Sequence, residues 1–258
     1  MVQSTPAPQF GFTAPNAASP QVSVVLPMYD EAENAASLIR EVAEAMAGAD
    51  FEIIAVDDCS KDDTQQVLVG LRADITQLRV LAHAKNAGQS RAVRTGILAA
   101  RAPIVATLDG DGQNPPGEIP KLVSQLKRAD APALLAMVAG ERQKRQDSRA
   151  KLWASRAAND IRKRILKDGA NDTGCGLKVF HREAFLRLPY FDHIHRYLPA
   201  LMVREGFEIE FAPVAHRPRA HGTSKYTNFG RAAVAVRDLF GVSWLLARSR
   251  RPERIEEL

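Results

Sequence analysis

The sequence predicts an α/β protein: a mostly parallel sheet with helices on both faces, followed by an amphipathic helical segment. Three observations lead there. Apolar, largely β-branched runs alternate with helically spaced segments four times between residues 22 and 127, the alternation that builds parallel sheets. The runs are continuously apolar, as strands buried on both faces are. Acidic and polar clusters stand at their carboxyl ends, the edge where open α/β sheets bind ligands.

VSVVLP (22–27) is the first central strand. Ala35, Leu38, Ile39, Val42 and Met46 then fall at helical spacing, and Gly48 ends that helix. FEIIAV (51–56) is the second strand, and Asp62 or Asp63 caps a short helix ending near Arg72. LRVLA (78–82) is the third strand, with a helix over Gln89–Ala100 after it. PIVATL (103–108) is the fourth, with a helix over Pro116–Lys127. ALLAMVAG (133–140) is a fifth apolar run. Later come a helix around 197–205, a strand at EIEFAPVA (208–215) and the polar, cationic loop HRPRAHGTSKY (216–226). The pattern divides the chain into a flexible leader (1–20), a main α/β unit (21–227) whose character changes after residue 140, and an amphipathic tail (228–258).

Composition narrows the function. The net charge of +5 favours an anionic partner, with nucleotides, lipid phosphates and acidic membranes all eligible. Cys59 and Cys175 are the only cysteines and form no CxxC pair, so no disulfide framework or zinc site is expected and a reducing cytosol suits the chain. Residues 1–20 lack the apolar core of a signal peptide. The apolar stretch Leu239–Ala247 is far short of the about 20 residues a spanning helix needs. No GxGxxG or Walker-type loop occurs, which argues against ordinary dinucleotide binding and P-loop hydrolysis.

Three clusters converge on the ligand edge: Pro27 to Tyr29, Asp57-Asp58 and Asp109-Gly110-Asp111. Asp109, Asp111 and Gln113 offer hard oxygens on a tight turn, which suits Mg²⁺ or Mn²⁺ shared with substrate phosphates. Two like charges at a strand end are costly without a cation; a solvated Asp-Gly turn is the plain alternative. Asp58 can accept hydrogen bonds from a nucleobase on which Tyr29 stacks and whose edge Glu31 meets. Equally, Asp57-Asp58 can serve helix capping, Tyr29 can be a half-buried aromatic and Glu31 a first-turn helix charge.

The motifs "VVLPMYDEAENAASLI", "IIAVDDCSKDDT", "KNAGQSRAVRTGILAA" and "LDGDGQNPP", in this order, resemble the family 2 glycosyltransferases of GT-A fold. "DTGCGLKVFHREAF" and "RAHGTSKY" resemble the subgroup that transfers sugars to dolichyl or polyprenyl phosphates, and the likeness runs from Gln21 to Tyr226. The resemblance implies that Pro27, Tyr29 and Glu31 border base and ribose, with Val56 and Asp58 opposite. It implies that Asp109, Gly110 and Asp111 meet the diphosphate through Mg²⁺ or Mn²⁺ and that Gln113 completes the metal shell. Asp111 and Gln113 would be direct ligands, with Asp109 nearer the ribose and metal waters; Lys85 and Asn86 would floor the site. Cys59 stands where the family commonly has glycine, so a positive φ there would be mildly strained.

An acceptor phosphate has a second pKa of about 6, is largely ionised at neutral pH and needs cations and hydroxyls more than a base. Arg142, Lys151, Ser155, Arg219 and Lys225 are the candidates, Lys151 and Ser155 sharing one face of a helix. Asp172 is either a base or a turn cap, and we expect it to orient a Lys or Arg near the acceptor. Ten Lys/Arg against two Asp between Arg142 and Lys167 read mainly as a solvated or membrane-facing surface. Inversion at the anomeric carbon is expected of the family. The QxxRW signature of processive synthases is absent, Trp153 and Trp244 being the only tryptophans.

The tail from Arg231 to Arg251 sets apolar residues among arginines. It can lie on a membrane surface, pack on the catalytic unit or join copies, and a membrane-protein partner fits it too. The expected location is cytoplasmic, peripheral on the inner face of the membrane. Rival readings are a soluble or protein hydroxyl acceptor, or a non-catalytic subunit that binds nucleotide sugar or lipid phosphate. A nucleic-acid binder lacks the aromatic stacking platform.

Overall fold

The computed structural model describes residues 19–142, 162–218 and 228–250. A seven-stranded sheet in the order β3-β2-β1-β4-β6-β5-β7 forms the centre. The first half alternates regularly: β1 Val22–Met28, α1 Ala32–Ala45, β2 Phe51–Asp57, α2 Thr64–Leu71, β3 Leu78–Ala82, α3 Gln89–Ala99 and β4 Ile104–Thr107. All its strand pairs are parallel. A 3-10 turn, Pro116–Glu118, leads into α4 Ile119–Lys127, and the expected fifth strand is β5 Leu135–Arg142.

The second half closes the sheet with β6 Lys178–His181, α5 Arg182–Leu186, the 3-10 turn Ile194–Arg196, α6 Leu198–Arg204, β7 Glu208–Val214 and α7 Asn228–Ala247. β6 inserts antiparallel between β4 and β5, while β5 and β7 run parallel. No strand is expected at KVFH from the sequence. Four residues that begin with a lysine and end with a histidine carry no usable period. Their strand identity comes from two neighbours, β4 and β5, that exist only in the folded sheet.

Helices cover both faces, each over its own apolar layer. Leu38, Ile39 and Val42 of α1, Leu68 of α2 and Leu122 of α4 pack on one side of the sheet. Val93 and Ile97 of α3, Phe185 of α5, Leu201 of α6 and Val242 of α7 pack on the other. The start of α2 is fixed by Asp62, not Asp63. Asp62 Oδ1 accepts from Thr64 N at 3.0 Å and Oδ2 from Ala32 N at 3.1 Å, so it ties the openings of α1 and α2 together.

The tail helix packs on the catalytic unit. Leu239, Val242 and Leu246 join the second apolar layer, Tyr197 donates to Ala235 O at 3.2 Å, and Asp238 lies 3.0 Å from His193. Its opposite face stays apolar and open, with Val236, Phe240 and Trp244 at 55%, 72% and 60% exposure. No helix among the described residues is long and apolar enough to cross a membrane.

Candidate active site

The acidic turn grows from the end of β4. Gly110 sits against the end of β1: a Cβ there would lie 2.8 Å from Pro27 O and 2.7 Å from Met28 Sδ, so only glycine lets the turn approach. Gln113 N donates to Asp111 Oδ1 at 3.1 Å and curls the turn that carries Asp109, Asp111 and Gln113. Asp109 receives Gln89 Nε2 at 2.7 Å from the first turn of α3. Its carboxyl lies so close over Gly176 that any side chain there would collide with it. Thr107 Oγ1 holds Gly176 in place by donating to its carbonyl at 2.8 Å. Burial, and then the negative charge of Asp111, push the Asp109 carboxyl up to about 6, against the pull of Lys178 and Arg142.

The two aspartates after β2 have divided tasks. Asp57 takes Ser60 N and Oγ and folds the turn in which Cys59 does adopt a positive φ of 63°. Asp58 is nearly inaccessible at 3% and already accepts Ala87 N at 2.9 Å, Gly88 N at 2.7 Å and His83 Nδ1 at 2.7 Å. Asp58 is therefore first the organiser of the 83–88 turn that leads into α3. Asn86 Nδ2 donates to Asp58 O at 3.0 Å, while Lys85 is exposed and joins none of these contacts. Val56 lies at 0% exposure in the apolar layer under α3. Tyr29 is half-buried just past β1. Glu31 is fixed by Thr64 Oγ1, which accepts from its N–H at 2.8 Å, and by Asn34 Nδ2, which donates to its carboxylate at 2.7 Å.

The second half brings cations to the same edge. Arg142 ends β5 and grips Asp172 through Nε at 2.5 Å and Nη2 at 2.8 Å. Gly174 N donates to Asp172 Oδ1 at 3.0 Å, so Asp172 caps a turn and orients an arginine at once. Burial would raise the Asp172 carboxyl, but Arg142 and the Gly174 N–H hold it below the usual carboxylate range. Lys178 is buried at the start of β6, and its ammonium donates to Cys175 O. Arg217, just past β7, donates from Nε to Gly112 O at 2.5 Å and from Nη2 to Glu41 Oε2 at 2.8 Å. Its N–H donates to Gln113 O at 3.0 Å. Lys151, Ser155, Arg219 and Lys225 lie outside the described residues.

Gln89, Gly176, Lys178 and Arg217 were not singled out from the sequence. Each sits inside a motif that was quoted, but Gln89, Gly176 and Arg217 meet partners far away in the chain, and Lys178 is buried by strands that join only in the folded sheet. No local pattern marks such a contact.

The comparisons with known proteins agree with this geometry. Residues 23–188 match the family described as glycosyl transferase family 2. The chain is 33% identical to dodecaprenyl-phosphate galacturonate synthase of Rhizobium johnstonii, over 97% of this chain and 74% of that protein. The chain is a family 2 glycosyltransferase. Its fold is shared with glucosyl-3-phosphoglycerate synthase of Mycobacterium tuberculosis solved with UDP, at a TM-score of 0.66 and 17% identity over 91% of this chain and 82% of that one. A mannosyltransferase of Pyrobaculum calidifontis solved with GDP-Man and Mn²⁺ is similar at a TM-score of 0.63 and 16% identity, over 93% and 67% of the two chains. The expected GT-A architecture is the one observed.

In this glycosyltransferase the acidic turn fits a divalent ion. Its donors are hard oxygens, two carboxylates and an amide, gathered on one turn. The raised Asp109 carboxyl reports the unfavourable charge that a cation relieves. Asp172 does not fit a general base, because its carboxylate is committed to Arg142.

Proposed function

We propose that this glycosyltransferase moves a sugar from a nucleoside diphosphate sugar to the phosphate of a polyprenyl phosphate, with inversion at the anomeric carbon. One observation carries the acceptor assignment. The edge that presents the acidic turn holds a cation, Arg142, fixed by the carboxylate that would otherwise be the base, Asp172. Such a site favours an acceptor that is already an anion. The relative from Rhizobium, a dodecaprenyl-phosphate galacturonate synthase, supports the same acceptor class.

A phosphate oxygen of the acceptor bonds to the anomeric carbon as the bond from that carbon to the diphosphate breaks, and the nucleoside diphosphate leaves. Asp109, Asp111 and Gln113 would hold Mg²⁺ or Mn²⁺, which supplies positive charge against the leaving diphosphate. Neighbours solved with Mn²⁺ and a nucleotide support that ion. Gln89 and Gly176 keep Asp109 in place, and Arg217 keeps the Gly112 peptide in place. Arg142 orients the acceptor phosphate, with Asp172 setting the angle of the guanidinium. Lys151, Ser155, Arg219 and Lys225 belong to the acceptor side of this reading. Tyr29 and Glu31 belong to the base side.

The lipid acceptor requires access to a membrane. The open face of α7 suits peripheral attachment at the cytoplasmic leaflet: Val236, Phe240 and Trp244 are exposed beside Arg237 and Arg248. Substituting Phe240 and Trp244 by serine should release the protein from anionic vesicles without unfolding it, since neither side chain is buried. The reaction itself is tested by incubating UDP-galacturonate, UDP-glucose and GDP-mannose, each radiolabelled, with polyprenyl phosphate and Mn²⁺. Label entering the organic phase, and blocked by EDTA, is the expected result. Label that reaches only water-soluble hydroxyl acceptors would replace the lipid reading.

A further inference from the structure

The reaction above makes no use of the segment that joins α5 to α6. Its 3-10 turn sets His195 against the first turn of α3, where Ser90 Oγ lies 2.7 Å from His195 Nδ1. Ser90 is 1% exposed and directly follows Gln89, the residue that donates to Asp109. The neighbouring Asp192 reaches the same place, 3.7 Å from where a Cβ on Gly88 would stand. The segment thus borders the end of α3 that faces the acidic turn. One ring nitrogen of His195 is tethered, and Nε2 has no hydrogen-bond partner among the described residues.

We propose that Nε2 of His195 hydrogen-bonds a hydroxyl of the donor sugar and helps to select that sugar. The inference rests on the donor reading given above. Three features favour a hydroxyl over a phosphate. The ring is half-buried, and burial, then Arg196 and Lys178, hold it well below the ordinary imidazole value, so it stays neutral at physiological pH. A neutral imidazole is a weak partner for a diphosphate that the acidic turn and its ion already serve. A hydroxyl both donates and accepts, so it suits whichever tautomer the Ser90 contact imposes. The position is also appropriate: the sugar hangs from the diphosphate, and Ser90, which His195 meets, directly follows the Gln89 that bonds Asp109.

The test compares nucleotide sugars with their bare nucleotides. Wild type, His195→Ala, His195→Gln and Ser90→Ala are assayed in Mn²⁺ with UDP-glucose, UDP-galacturonate and GDP-mannose, and for binding of UDP and GDP alone. His195→Ala should lower kcat/KM for the preferred donor about 10- to 100-fold, the loss of a buried polar contact. Affinity for the matching free nucleotide should stay within about twofold, since His195 touches only the sugar. The ratio between the best and second-best donors should shrink. His195→Gln should recover part of the loss, and Ser90→Ala should lose about threefold, because the ring stays but its tether goes. Equal losses for free nucleotide and nucleotide sugar would overturn the proposal by showing a structural role. An unchanged donor preference in a folded His195→Ala protein would overturn it as well. A wild-type chain that binds UDP or GDP but transfers none of the three sugars would remove the donor reading, and this inference with it.

Discussion

Asp58 and Arg142 show how differently the two halves of the sheet hold charge at the same edge. The β1–β4 half supplies anions and fixes them mostly with backbone N–H groups from nearby turns: Ala87 and Gly88 for Asp58, Gln113 for Asp111. The β5–β7 half supplies cations and fixes them with carboxylates and carbonyls: Asp172 for Arg142, Cys175 O for Lys178, Gly112 O for Arg217. Backbone donors hold an anion without adding mobile charge, so that half can receive an ion and a diphosphate. A guanidinium held by a carboxylate keeps donors in a set direction, which suits an incoming phosphate. On the proposed reaction the acidic turn, steadied by Arg217, would hold the leaving group, while Arg142 with Asp172 would aim the nucleophile.

Substitutions can break that division in order of size. Asp111→Ala should abolish transfer, by about 10³-fold or more, because the ion that neutralises the leaving group loses a carboxylate; steady-state transfer assays at saturating Mn²⁺ check it. Arg142→Ala should cost about 100-fold in kcat/KM for the acceptor, and Asp172→Asn about tenfold, since the guanidinium remains but loses its fixed angle. Full activity in Asp172→Asn would show that Arg142 needs no such partner. Arg217→Gln should raise the donor KM about fivefold and leave the acceptor KM unchanged, as its partners Gly112 and Gln113 belong to the acidic turn.

The smallest effect is on stability. Asp109 has its carboxyl raised to about 6, so its ionised form burdens the fold above that pH and the burden fades as pH falls toward its unfolded value. In metal-free buffer, Asp109→Asn should therefore raise Tm by about 2–4 °C near pH 7.5 and change it little near pH 4. The same variant should lose the Tm increase that Mn²⁺ with nucleotide gives the wild type. Calorimetric melts at the two pH values decide it.

The two halves also differ in how openly the sequence declares them. In the first, strands β1 to β4 stand out as apolar runs, and Asp111 lies two positions from the Gln113 N–H that holds it. Asp109, Asp111 and Gln113 are therefore legible as a group. In the second, Lys178 becomes buried only because β6 slots between β4 and β5, and Arg217 meets Gly112 across 105 positions. No window of sequence contains such a contact. Val56, two positions before Asp58, packs in the layer under α3, the side on which Asp58 meets the turn that leads into that helix. The tail helix was legible as amphipathic, yet its two apolar faces, one packed and one open, separate only once α6 and the 193–197 segment are in place.

The division of labour is tested most directly by calorimetric binding of the nucleoside diphosphate, in Mn²⁺, to wild type, Asp111→Ala and Arg142→Ala. We predict that Asp111→Ala no longer binds, and that Arg142→Ala binds within about twofold of wild type while failing to transfer. Nucleotide binding lost equally in both variants would contradict the account, because Arg142 would then serve the donor and the two halves would not divide the work.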